Sequence, residues 1–236
     1  MEQINKVKSI SIWIFIIPFV AVNACLILIT QFHELFPNQE HIIHNTFPYF
    51  DGGASISRTA RPFPSWLIFK PAMFLTSYFL IKYWIYNEKI IEFFDKDHKH
   101  KKKILYFGIA SAIALTIHSI FLGIKFDNDL YKLFRRVIML SFIIFEIIAQ
   151  AYLVATFYSF KNKLDKYINF TFLRLKFILV TTLIVVAIIS TPIISLPGDN
   201  FFGINLKFLK HALEWDYFLG VISFYLFTFF MWKKTN

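Results

Sequence analysis

A carboxylate stands near the middle of the apolar run 137–158. It is Glu146, with Gln150 one helical turn further along the same face. In hydrocarbon an ionised carboxylate is costly, so it requires a partner or a proton, and such a residue is a functional candidate by default. Other polar groups sit near the ends of apolar runs. Lys70 is one turn into the run 66–84, and His118 lies in the second half of the run 104–124. Glu214 and Asp216 open the last run, just after His211, and Asn23 lies late in the first. Lys, His, Glu and Asp at one depth could pair across helices, act as acid and base, or receive the polar head of a lipid. Arg58 and Arg61 precede the second run, and the planar guanidinium fork suits a phosphate. The plainer reading is structural: buried polar groups join helices at about 0.6 kcal/mol each, and acidic residues at a helix start favour its positive end.

The runs themselves dominate the sequence. Of 236 residues, 57% are hydrophobic and only 17% charged, with a mean hydropathy of +0.55. Soluble domains carry about 25% charged residues, so lipid is the solvent that suits this excess. About 20 apolar residues cross a bilayer core. Six runs qualify: 10–30, 66–84, 104–124, 137–158, 177–196 and 213–232. The second contains Lys70-Pro71, which a first helical turn tolerates. The expected fold is all-α, one six-span membrane bundle over residues 1–236.

Charge orients it. With the N-terminus inside, 16 of the 25 Lys and Arg fall on the inner segments, Arg174 and Lys176 among them, and nine on the outer ones. Cationic loops stay cytoplasmic, so both termini are expected there. The net charge of +10 then reads as topology and lipid-headgroup contact rather than nucleic-acid binding. The inner stretch DKDHKHKKK reads as a headgroup-facing charge run.

The first outer connection, from Gln31 to Ser65, is long for a helix–helix link and rich in turn formers. It carries Phe47, Tyr49, Phe50 and Phe63, which do not suit a loop hanging in water. His33, His41 and His44 lie in it too, but Pro37 and Pro48 bracket them and no cysteine assists, so no metal is expected. The chain has no P-loop, GxGxxG, GxSxG or HExxH motif, and no cofactor is expected. Cys25 follows Val22-Asn23-Ala24 in a lipoprotein-like arrangement, yet the apolar run continues past it, as in a membrane helix.

Two segments resemble the Frag/DRAM/Sfk (DRAM-like) family of six-span membrane proteins. FPYFDGGASISRTARPFPSWLIFKPAMFLTS is similar to that family's proline-plus-SIS loop, with Pro48, Ser55, Ile56 and Ser57 at the matching positions. ALEWDYFLGVISFYLFTFF is similar to its Ala-x-x-Glu-Trp run followed by Tyr-x-x-Thr, with Glu214, Trp215, Tyr225 and Thr228 matching. The loop lacks the cysteine of DRAM-like members, and Arg58 and Arg61 replace a more neutral stretch, closer to the branch that remodels GPI lipids. The resemblance implies a lipid-linked role and transfers no catalytic residues.

The expected function is therefore to bind or organise membrane lipid, or another membrane protein, at an outer-face site. The alternative is a membrane enzyme acting on a lipid, with His211, Glu214 or Glu146 as acid or base. Two structural expectations follow. A carboxylate, Glu146 or Glu214, should lie within salt-bridge reach of Lys70. The first outer loop should fold back and, with the start of the last helix, roof a lipid-sized cavity that has Arg58 or Arg61 at its polar end.

Overall fold

The computed structural model describes residues 2–44, 46–124, 128–194, 200–201 and 204–233. The end of the expected span 177–196, together with Lys125 and Lys234 of the charge tally, lies outside them.

Among the described residues six long helices dominate: α1 (Glu2–Gln31), α4 (Ser65–Phe94), α5 (Lys101–Phe121), α6 (Asp129–Ser159), α8 (Phe170–Ile194) and α9 (Leu206–Met231). Short α-helices lie between them: α2 (Pro48–Asp51), α3 (Ile56–Ala60) and α7 (Lys161–Leu164). A small antiparallel ladder, β1 (Asn200–Phe201) with β2 (Ile204–Asn205), precedes α9. The protein is a helical bundle of the membrane type. Among the described residues five helices, α1, α5, α6, α8 and α9, are long and apolar enough to cross a membrane. The backbone reason is that a lipid-embedded chain must satisfy its N–H and C=O groups within the segment. The sixth, α4, has the length, 30 residues, but is not among those five by composition. Lys70, Lys82 and Lys89 are spread along it.

The long helices close a ring in sequence order. α1 packs on α4, α4 on α5, α5 on α6, α6 on α8, α8 on α9, and α9 returns to α1. One end of the bundle carries the chain termini. There Lys8 Nζ donates to the Trp232 carbonyl at 2.5 Å and Asn169 N to the Met231 carbonyl at 2.7 Å. The other end carries the connection 32–64. The helices run well past the apolar runs: α1 begins at Glu2, α4 continues to Phe94 and α8 starts at Phe170. Helix length is set by packing and backbone pairing as well as by hydropathy, which explains the excess. Cys25 is fully buried within α1, its Sγ donating to the Ser65 carbonyl at 3.4 Å.

Toward the termini the core is solid. Trp84, Tyr83, Phe157, Phe224, Met231 and Trp232 are all fully or almost fully buried. Gly108 lets α5 approach α4, since a Cβ there would overlap the Trp84 ring. Toward the other end packing loosens. Residues 129–145 of α6 include none that is buried; its buried residues begin at Glu146.

Candidate functional site

The connection 32–64 folds onto the bundle. Asp51 organises its turn by accepting from Thr46 Oγ1 and Phe47 N at 2.7 Å and from Gly53 N at 2.8 Å. Partial burial works against the charge of Asp51, but these bonds outweigh it and hold the carboxyl below its ordinary value. Gly52 ends α2 with φ 61°, and a Cβ there would overlap the Phe208 carbonyl, so the turn lies directly on the start of α9. Three polar contacts pin it. Trp215 Nε1 donates to the Ala54 carbonyl at 2.8 Å, His211 Nδ1 to the Gly52 carbonyl at 2.9 Å, and Tyr49 Oη to Asn23 Oδ1 at 3.2 Å. The Tyr49 and Trp215 rings meet edge to face at 4.9 Å. Ser55 caps α3, accepting from Arg58 N at 3.2 Å. The Glu214 carboxylate faces the backbone N–H groups of Ile56 and Ser57 at the same helix start. The two family-like segments are thus in direct contact.

Beneath this cap lies a narrow cleft of about 90 Å³. Val22, Ile56, Phe69, His118, Met139 and Glu214 line its loop end; Ile14, Leu80, Glu146 and Tyr225 line its floor. Glu214 and Tyr225 are eleven residues apart on α9, so mouth and floor are separated by about 16 Å. Phe69 and Leu80 repeat that spacing on α4 in the opposite direction. Among the described residues α8 alone of the long helices supplies no wall. Pro18 on the α1 wall has no N–H to give to the Ile14 carbonyl, which is left without its helical donor.

The floor of the cleft is the top of a buried polar network. Glu146 is fully buried and accepts from Tyr225 Oη, from Ser111 Oγ at 2.5 Å and from Gln150 Nε2 at 3.1 Å. One turn beyond Tyr225, Thr228 Oγ1 receives Lys176 Nζ at 2.8 Å and lies 3.2 Å from Tyr83 Oη. The Thr228 hydroxyl proton goes to the Phe224 carbonyl at 2.9 Å, so Tyr83 is the donor in that pair. Lys176 is fully buried, with its Nζ 3.8 Å from the centre of the Phe224 ring. Tyr225 and Thr228, singled out only by the family-like pattern, therefore each hold a buried ionisable group in place.

The expected ion pair of Lys70 is absent among the described residues. Its Nζ donates to the Ile120 carbonyl at 3.3 Å and lies 5.6 Å from the Trp66 ring. Glu146 is engaged deep in the bundle and Glu214 faces α3, so neither reaches it. Arg58 and Arg61 do not line the cleft either. Arg58 is exposed. Arg61 instead borders a second hollow with Trp66, Lys70, Leu122, Gly123 and Ile124. Burial, and after it the neighbouring Arg135, hold the Arg61 guanidinium below its usual value. The Nε atoms of Arg61 and Arg135 are both buried without a partner among the described residues. Arg135 packs 5.9 Å from the Tyr131 ring, and the fields of both arginines reach His118 on the cleft wall. Of the remaining candidates, His211 holds the cap and Asp216 is exposed on α9; neither lines the cleft.

Lys176 is the functional candidate that sequence reasoning assigned elsewhere, to the inner charge tally. Its signal was the stretch Phe170-Thr171-Phe172-Leu173 before it, apolar enough to start the helix two turns earlier. No family model, curated protein or solved structure matches this chain.

Proposed function

We propose that this chain is a six-span integral membrane protein of the DRAM-like type that binds a membrane lipid, with both termini in the cytoplasm and the 32–64 cap on the outer face. The packing of α4 between α1 and α5 supports the sixth span. Its 30 residues extend about 45 Å, the thickness of a bilayer with its headgroups. Lysines near its ends can snorkel to the interfaces.

The observation that carries the lipid reading is the side-by-side arrangement of a capped apolar cleft and a hollow bordered by cations. Arg61 and Lys70 face that hollow, Arg135 stands close by, and none of the three has a carboxylate partner among the described residues. Clustered guanidiniums with unpartnered donors call for an anion, and a phosphate accepts from arginine through paired bonds. The cleft gives the attached chain an apolar wall about 16 Å long.

Two measurements test this. Protein purified from membranes should retain phospholipid, counted by native mass spectrometry. The Arg61→Ala/Arg135→Ala variant should retain at least about tenfold less, since hydrogen bonds to charged groups contribute about 1.5–3 kcal/mol. Equal retention by a folded variant would remove the lipid site. Topology is checked with single cysteines introduced in a Cys25→Ser background. Lys99→Cys and Lys163→Cys should resist an impermeant outside reagent and Arg58→Cys should react; the reverse pattern would invert the orientation.

A further inference from the structure

We infer that the lipid recognised here carries a zwitterionic, amine-bearing phosphate head, with its phosphate on the arginine side and its ammonium on the cleft side of the cap. This deepens the lipid-binding reading and rests on it.

The charge layout separates the two signs. The cleft has three ionisable residues of the acid and imidazole type on its wall, His118, Glu146 and Glu214, and no lysine or arginine among the described residues. The hollow has Arg61 and Lys70 on its wall and no acidic residue among the described ones. A purely anionic head satisfies the hollow but brings no cation to Glu214. A purely cationic head satisfies Glu214 but leaves Arg61 and Arg135 repelling each other. A head with one charge of each sign answers both.

Helix α3 fixes the spacing. Glu214 faces the backbone of Ile56 and Ser57 at its start, and Arg61 is the residue at its end. Five residues of helix are about 7.5 Å. The phosphate and ammonium of an ethanolamine-type head are two carbons apart and fit within that span. Two further features suit an ammonium at the mouth. Tyr217 and Phe218 line the cleft one turn from Glu214 and offer aromatic faces. The Glu214 carboxylate faces backbone donors in the cap, and among the described residues no side-chain cation forms an ion pair with it. His118, between the two regions and under the field of both arginines, marks the divide.

The test uses the full-length protein in nanodiscs of phosphatidylcholine doped with equal amounts of phosphatidylethanolamine and phosphatidylglycerol of matched chains. Lipid bound to the released protein is counted by native mass spectrometry. The wild type should be enriched in phosphatidylethanolamine over phosphatidylglycerol by about tenfold, the factor expected for one additional charged hydrogen bond. Glu214→Gln keeps shape and should bring the two lipids to parity. Arg61→Ala should lower retention of both. Preference for phosphatidylglycerol in the wild type, or an unchanged ratio in a folded Glu214→Gln, would overturn the zwitterion inference and leave the lipid site standing. Absence of any retained lipid would instead overturn the lipid reading itself. Tm in the same discs separates misfolding from loss of recognition. If Glu214→Gln unfolds, the wild type is offered phosphatidylethanolamine against its N-acetylated form: preference for the free amine supports the inference, and equal retention overturns it.

Discussion

The half of the bundle near the termini and the half near the cap are made from the same six helices, yet they pack differently. Near the termini, large aromatic side chains fill the centre, and the Glu146–Tyr225 and Lys176–Thr228–Tyr83 hydrogen bonds are enclosed by them. Near the cap the centre is an apolar cleft, and the first half of α6 has no buried residue. Closeness in the first half is specific: Gly108 admits the Trp84 ring, and the chain ends are tied by Lys8 to the Trp232 carbonyl. Closeness in the second half comes from a loop laid across the opening and fixed by Trp215 and His211. The bundle can leave one half open because the other half holds the helices in register.

That contrast can be broken by equal truncations at the two ends. Trp84→Ala, in the solid half, should destabilise the protein by about 3–5 kcal/mol, the usual cost of emptying a large buried aromatic site. Thermal unfolding in detergent, followed by circular dichroism, reads this. Tyr225→Phe, at the boundary, removes one donor from Glu146 while Ser111 and Gln150 remain, and should cost about 1–3 kcal/mol. Phe142→Ala, on the cleft wall and only partly buried, should cost less than Trp84→Ala. If Phe142→Ala proved as damaging as Trp84→Ala, the cleft would be as tightly packed as the rest and the contrast would fail.

The helices were legible in the sequence because hydrocarbon demands long apolar runs. Their ends were not, because interfacial turns are polar yet still helical, as residues 2–9 of α1 and 85–94 of α4 show. The contact between the family-like segments was readable as a possibility of topology. Which side of the cap Arg61 would face was not, because α3 is a single turn and a shift of one residue rotates a side chain by about 100°. Lys70 went to the Ile120 carbonyl for a related reason. Depth placed Glu146 and Glu214 as its neighbours, but depth says nothing of azimuth around the ring, and both acids face inward. Lys176 was misassigned because a cation near the end of an apolar run looks the same in sequence whether it lies in headgroups or against Thr228.

The closed ring has a consequence for how the protein is made. A ribosome delivers the helices in order, and α9 follows the other five. Until it arrives, Glu146 lacks Tyr225, Lys176 lacks Thr228, and the cap lacks Trp215 and His211. Two buried ionisable side chains and a folded-back loop must therefore wait in or at the membrane, with partial solvation, for these partners. Insertion of α9 completes all of these contacts together, so α9 sets the moment at which the bundle becomes one structure.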